Sequence, residues 1–359
     1  MTVQVFVVDD SAVVRQTMQH ILEGDAEFRL AGTAPNPLLA LPLLRKSRPD
    51  VLLLDIEMPG MDGLTFLRQL MAEGRPIPTV ICSTLTSQGS DMALEALAAG
   101  AVAVVGKPRL GLKNFLEDSR RELLRTLKTA ARSRPRGASG PTPGASAVAV
   151  EAATVPVGPR PVPGRRTLAV NKPVLIGSST GGAQAIETIL CGLPSDCPGI
   201  AIVQHMPEKF TAQYAQRLDR TCSMSVREAK DGDRLERGLV LIAPGGLHMQ
   251  LRKSHGQYFV SVLNGPPVNR HKPSVDVLFR SAAECAGSDA LAIMLTGMGD
   301  DGARAMMQLH RAGASTVAQD EATCVVFGMP MEAIKLGAVD KVLPLGAIAA
   351  EILRFDARG

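Results

Sequence analysis

Short apolar runs alternate along this chain with segments whose apolar residues recur every three or four positions. In the first part the pairs are Val3 to Val8 then Ala12 to Leu22, Val51 to Leu54 then Gly63 to Met71, and Thr79 to Cys82 then Asp91 to Ala99. Ala101 to Val105 follows, then a charged helical stretch near Leu112 to Leu127. Buried strands joined by amphipathic crossover helices produce this rhythm, so a parallel sheet is predicted. The rhythm resumes with runs at Val174 to Ile176, Ile200 to Val203, Leu239 to Ile242, Leu291 to Leu295 and Ser315 to Ala318. Tyr258 to Leu263 alternates instead, the pattern of a half-buried antiparallel hairpin.

From about Ser133 to Thr167 neither period holds. The stretch is rich in Pro, Gly, Ala and Arg, with Arg134, Arg136, Arg160, Arg165 and Arg166 set against Glu151 alone. It buries too little apolar surface to offset the entropy of ordering and reads as a solvated spacer. The expected division is therefore an α/β domain over 1–128, a linker over 129–168 and a second α/β domain over 169–355.

Composition narrows the function classes. Lys and Arg number 39 against 35 Asp and Glu, a net charge of +4, and aromatic residues make up 3% of the chain. That balance supplies neither a basic patch nor a stacking platform, so no nucleic-acid partner is expected. No apolar run reaches the roughly 18 residues that cross a bilayer, and MTVQVFVVDD lacks a basic, cleavable leader, so a cytoplasmic protein without membrane insertion is expected. The six cysteines (Cys82, Cys191, Cys197, Cys222, Cys285 and Cys324) show no C-x2-C spacing, which argues against a zinc or redox motif.

Chemistry-bearing residues gather where the apolar runs end. Asp9 and Asp10 close the first run, Asp55 ends the run in LLLDIEMPGMDG, Ser83 lies in ICST, and Lys107 follows the last run in VVGKP. Carboxylates converging on one sheet edge repel one another, and a hard divalent cation with oxygen ligands relieves that repulsion; Mg2+ suits a partly open site. Taken singly, each acid also reads as a helix cap, as Asp10 or Ser11 would for the helix beginning at Ala12. Together VVDDS, LLLDIEMPGMDG, ICST and GKP resemble the receiver domain of two-component response regulators over about residues 1 to 125. The resemblance implies a flavodoxin-like, five-stranded parallel sheet in which Asp55 accepts a phosphoryl group from a histidine kinase. Asp9, Asp10, Asp55 and the carbonyl of Glu57 would hold Mg2+, Ser83 would contact the phosphoryl group and Lys107 would pair with it. Receivers usually carry Tyr or Phe three residues before the lysine, where this chain has Val104. Read-out through Ser83 and a shifted domain interface is therefore expected.

In the second part GSSTGG, Gly177 to Gly182, joins a strand-like run to a helical period. Such a turn holds an anion on backbone N–H groups or presents a nucleophile at a strand end. It lacks the lysine of G-x-x-x-x-G-K-[ST] and the spacing of G-x-G-x-x-G, and it differs from G-x-S-x-G, so residues alone leave both readings open. A serine nucleophile requires a base and an orienter. His205 follows the run in AIVQHMP, and Asp300 and Asp301 follow another in LTGMGDDG, whereas His248 follows IAPGGLHM and His255, His271 and His310 occupy polar or helical contexts.

GSSTGG, IVQHMP, IAPGGLHM, GPPVNRHKPSVDVLF, LTGMGDDG and AQDEATCVVFGMPMEAI together resemble the chemotaxis protein-glutamate methylesterase (CheB) family, which joins a receiver to a doubly wound α/β serine-esterase domain. The resemblance covers about 170 to 350 and implies Ser179 as nucleophile, His205 as general base and Asp301, over Asp300, as orienter. It implies hydrolysis of glutamyl methyl esters on chemoreceptor helices with release of methanol, deamidation of receptor glutamines, no metal in the esterase half, and a receiver that covers the cleft until Asp55 is phosphorylated. Backbone N–H groups near Thr180 and the Gly297–Met298 turn are expected to face the oxyanion. The competing classes are a receiver joined to a phosphate-binding module and a DNA-binding regulator; the latter lacks a basic recognition helix.

Overall fold

The computed structural model describes residues 2–73, 76–83, 87–107, 113–133, 172–208 and 210–357. Its first part runs β1 (Val3–Val8), α1 (Ala12–Glu23), β2 (Phe28–Ala34), α2 (Pro37–Ser47), β3 (Val51–Asp55), α3 (Gly63–Ala72), β4 (Thr79–Ser83), α4 (Ser87–Ala98), β5 (Ala103–Gly106) and α5 (Lys113–Ala130). The strands form a parallel sheet in the order β2-β1-β3-β4-β5. Both faces are covered, which is why the central strands are apolar throughout: Leu52 and Leu54 enter a core with Phe6 and Phe66, and Val51 and Leu53 enter another with Val5 and Leu127. β2 and α2 were absent from the predicted alternation. β2 is an edge strand of mixed burial, and α2 carries Pro37 at its start and Pro42 inside it, so neither shows a clean period.

The second part runs β6 (Val174–Ser178), α6 (Gly182–Cys191), β7 (Ile200–Gln204), α7 (Phe210–Thr221), β8 (Ser225–Glu228), β9 (Leu239–Ile242), β10 (His248–Ser254), β11 (Gln257–Leu263), α8 (Val275–Cys285), β12 (Leu291–Met294), α9 (Ala303–Arg311), β13 (Ser315–Gln319), α10 (Met329–Lys335), β14 (Lys341–Leu343) and α11 (Leu345–Asp356). Seven strands make a parallel sheet in the order β14-β13-β12-β6-β7-β9-β8. The chain winds outward from β6 in both directions, so the crevice beside β6 is a topological switch point, where open α/β sheets bind ligands. The alternating run forms an antiparallel hairpin, β10 with β11, in which His248 faces Leu263 and Ser254 faces Gln257.

Two surfaces of the first domain meet the second. α4 packs on α6 and α7, and the Gln184 amide donates to Leu97 O. α5 lies toward the carboxyl edge of the seven-stranded sheet, where Val325 packs against the core that includes Leu123, Leu124 and Leu127. The linker expected over 129–168 lies outside the described residues from 134 onward; before that, α5 carries the chain to Ala130. Among the described residues no helix is long and apolar enough to cross a membrane.

Candidate active site

β12, β6 and β7 are neighbours, so the residues just past their carboxyl ends converge. Ser179 leaves β6, His205 leaves β7, and Asp301 follows β12 through the Thr296–Asp300 turn. The two serines of GSSTGG have different fates. Ser178 ends β6 fully buried, its Oγ donating to Gln204 Oε1 at 2.6 Å, whereas Ser179 lies past the strand, half-buried, with Oγ unpartnered among the described residues. The adjacent acids divide likewise: Asp300 is exposed and Asp301 is 1% exposed.

The turn is tight enough to require glycine. Gly181 takes a φ of 77° as the cap of α6, and a Cβ there would lie 2.5 Å from Val325 Cβ. Gly297 approaches the serine so closely that a Cβ on it would lie 2.8 Å from Ser179 Cβ. Gln204 ties this turn to the next, its Nε2 donating to Ser179 O (2.9 Å) and His205 O (3.0 Å). Ser179 N–H donates to Thr296 O and Gly182 N–H to Ser179 O, so part of the anion cradle open to GSSTGG is already occupied. Gly297 N–H is also taken, by Val326 O. The N–H groups of Thr180 and Met298 donate to no group among the described residues.

His205 is held in one orientation. Its Nε2 lies 2.8 Å from Asp301 Oδ2, and its Nδ1 is buried with no hydrogen-bond partner among the described residues. Asp301 Oδ1 accepts from Ser274 Oγ (2.7 Å) and Asn269 Nδ2 (2.8 Å), and Oδ2 accepts from Val275 N–H (2.7 Å). Burial alone would raise this carboxyl, but the hydrogen bond and charge of His205, with the bonds from Asn269 and Ser274, hold it well below the usual carboxylate range. An ionised Asp301 only accepts, so the Nε2 facing it carries an N–H, and Nδ1 is the ring nitrogen left for proton exchange. Asn269, Ser274 and Asp276 all lie in GPPVNRHKPSVDVLF, where no local spacing marks them as partners of Asp301. Asp276 is 3% exposed; its Oδ2 accepts from Asn269 (2.5 Å) and its Oδ1 from Gly302 and Ala305 N–H (both 3.1 Å), capping α9 from another element.

His271, in a polar context in the sequence, joins the site through the fold. Its ring stacks on His205 with centroids 3.7 Å apart and planes 7° from parallel. Burial, then the charges of His205 and Arg125, push its pKa down to about 3. Arg125 Nη2 of α5 lies 3.0 Å from His271 Nε2, and Thr129 Oγ1 of α5 contacts Met298 Sδ. The first domain thus touches both the ring stacked on His205 and the Met298 turn.

A family model described as CheB methylesterase matches residues 174–352, and one described as response regulator receiver domain matches 5–115. A protein-glutamate methylesterase/protein-glutamine glutaminase of Xanthomonas oryzae is 56% identical over 96% of this chain and 99% of its own, and one of Hahella chejuensis is 50% identical over 99% and 96%. The chain belongs to the protein-glutamate methylesterase/protein-glutamine glutaminase family. The Thermotoga maritima CheB methylesterase catalytic domain is 40% identical and superposes with a TM-score of 0.50, over 52% of this chain and 99% of that one.

In the receiver domain of this methylesterase-family chain, Asp9, Asp10 and Asp55 each bring a carboxylate oxygen within 4.8 Å of the others. Asp9 and Asp55 are buried and Asp10 is exposed. Ser11, not Asp10, caps α1, accepting from Val14 N–H. Lys107 Nζ lies 2.7 Å from Asp55 Oδ2 and 3.2 Å from Asp9 Oδ2, and the N–H of Glu57 donates to Asp55 Oδ1 (3.1 Å). Burial pushes Asp55 up to about 6, against the hydrogen bond from Lys107 and aided by the charge of Asp9. Asp9 Oδ2 is buried and, although beside Lys107, receives no aligned hydrogen bond. An oxygen left unsatisfied in an acidic cluster open at Asp10 fits a hard cation. Ser83 is buried at the end of β4, its carbonyl accepting from Lys107 N–H. Val104, where receivers usually carry an aromatic residue, packs half-buried against the core.

Proposed function

We propose that this chain is a phosphorylation-regulated protein-glutamate methylesterase and protein-glutamine deamidase acting on chemoreceptors through Ser179, His205 and Asp301. The observation that carries the reading is the buried His205, paired through Nε2 with a fully bonded Asp301 and presenting an unpartnered Nδ1 just past the end of β7, the strand beside the one that leads to Ser179. Ser179 gives its proton to His205 Nδ1 while its Oγ attacks the ester carbonyl, and Asp301 stabilises the imidazolium that forms. The unpartnered N–H groups of Thr180 and Met298 are suited to the developing oxyanion. His205 returns the proton to the departing methoxide, methanol leaves, and a water deprotonated by His205 cleaves the acyl-enzyme. With a glutamine substrate the same sequence releases ammonia. The hydrogen bond from Ser179 to Nδ1 is expected to form as substrate seats, as such contacts commonly tighten in the productive complex.

In the receiver, Asp55 accepts the phosphoryl group from a histidine kinase, Lys107 and Ser83 engage it, and Asp9, Asp10, Asp55 and the Glu57 carbonyl hold Mg2+. A bound cation would supply charge neutralisation at this acidic site. The contacts of Arg125 and Thr129 support a resting arrangement in which α5 covers the mouth of the esterase site. Moving a population from about 99% closed to half open takes ~2.7 kcal/mol, within reach of one or two charge-assisted bonds to a phosphoryl group. The test is methanol release from methylated receptors by wild type, Ser179→Ala and Asp55→Asn, with and without a small phosphodonor. Release is expected to vanish in the serine variant and to lose phosphodonor stimulation in Asp55→Asn; release by Ser179→Ala at the wild-type rate would refute the assignment.

A further inference from the structure

α6 and α7 are the helices that follow Ser179 and His205, and their distal ends carry a pair of thiols. Cys191 is the last residue of α6, Cys222 is the first beyond α7, and their sulfurs lie 3.9 Å apart. Cys191 is exposed and lines a half-open cleft of about 650 Å³ between the two domains, with Arg68, Ala99, Glu187 and Arg217 among its neighbours. Cys222 is 6% exposed. The helices are held in register by Tyr214 O–H donating to Ala183 O (2.9 Å) and Arg217 donating to Glu187 (3.0 Å), so the two sulfurs are fixed neighbours. Closure to a bond of about 2.05 Å requires an approach of roughly 2 Å. Both residues sit where helical constraint ends, Cys191 before the cap Gly192 and Cys222 in a bend. The arrangement pairs an oxidant-accessible thiol with a sheltered partner, the order in which a dithiol oxidises stepwise.

We propose that Cys191 and Cys222 form a peroxide-reactive dithiol whose disulfide ties α6 to α7 on the face that α4 of the receiver packs against. Cys191, as thiolate, attacks hydrogen peroxide; an S–O bond forms, the O–O bond breaks, and the departing hydroxide takes up the released proton as water. Cys222 then loses its proton to solvent and attacks the Cys191 sulfur; the S–S bond forms, the S–O bond breaks and a second water leaves. Two thiols and one peroxide become one disulfide and two waters, with sulfur oxidised and peroxide oxygen reduced. Cys191 is the exposed thiol and meets peroxide first, and burial pushes the Cys222 thiol up to about 12, which slows the second step.

The reduced full-length chain is treated with hydrogen peroxide, quenched in acid, alkylated and mapped as peptides by mass spectrometry. The expected product is an intramolecular Cys191–Cys222 linked peptide, lighter by two hydrogens, reversed by dithiothreitol and absent from Cys191→Ser, Cys222→Ser and Cys222→Ala alike. Amide exchange in the last turns of α6 and α7 is expected to slow several-fold in the oxidised wild type. Over-oxidation of Cys191 with Cys222 still open to alkylation, linkage to another cysteine or to a second chain, or a link that leaves exchange unchanged would each overturn the proposal.

Discussion

Two neighbouring serines show how much one residue's setting decides. Ser178 spends its hydroxyl on Gln204 inside the fold, whereas Ser179 stands beyond the strand with Oγ uncommitted. Ser179→Ala is expected to lower methanol release by roughly 10⁴-fold or more if Ser179 is the nucleophile, as proposed, since the members of a catalytic triad act as a unit. Ser178→Ala is expected to cost about 1 kcal/mol of stability through the lost buried hydrogen bond, read as a lower melting midpoint, and to leave most of the turnover in place. A second residue-scale test concerns Gly181, whose φ of 77° and contact with Val325 exclude a side chain. Gly181→Ala is expected to cost about 1–3 kcal/mol by thermal denaturation and to displace Ser179 enough to reduce kcat. At this scale the motifs single out Ser179, His205 and Asp301, and the structure brings all three to the ends of adjacent strands. The sequence was silent on Asn269 and His271, because the stack on His205 and the bonds to Asp301 join segments far apart in the chain and leave no local period.

Whole elements announced themselves in proportion to how cleanly they bury one face. The fully buried β3, β6, β7 and β12 read as apolar runs, and the half-buried β11 read as alternation. β8, β14 and the edge strand β2 are short or mixed in burial, so their hydrophobic signal was weak. α9 illustrates a boundary that local reading misses, for its cap Gly302 has no side chain and the orphan N–H groups of Gly302 and Ala305 are met by Asp276 on α8. Asp276 also receives the Asn269 amide that holds Asp301, so one carboxylate sets both the helix start and the acid paired with His205. Asp276→Ala is therefore expected to lower stability by about 1–3 kcal/mol, shifting the melting midpoint by roughly 2–4 °C per kcal/mol. It is also expected to reduce kcat more than it raises KM, since it disturbs the orientation of His205 and not the surface that receives substrate.

The docked receiver meets the second domain at one ring, His271, which is stacked on His205. His271 stays neutral in the fold down to about 3, while an unfolded histidine takes its proton near 6.5, so between those values the unfolded state binds more protons. Native stability from this group is complete above about pH 6.5 and declines as pH falls through that window. Between pH 7 and 5.5 the melting midpoint of wild type is expected to fall more than that of His271→Gln, a comparison in which the opposite contribution of Asp55, raised to about 6, is common to both proteins. The neutral ring is also what accepts from Arg125, since a protonated imidazole has no lone pair to offer. Arg125 lies on α5, away from Ser179, His205 and Asp301 in the chain, and its contact exists only while the receiver is docked. Removing that charge-assisted bond weakens the closed state and not the chemistry, so Arg125→Ala is expected to raise the basal rate of methanol release without a phosphodonor. A loss of ~1.4 kcal/mol from a mostly closed population corresponds to about a tenfold rise. The rate of the phosphorylated variant is expected to match that of phosphorylated wild type, because the open state lacks the contact in both. Initial rates with and without phosphodonor separate this from a general disturbance of the site, which would lower both rates together and leave their ratio unchanged.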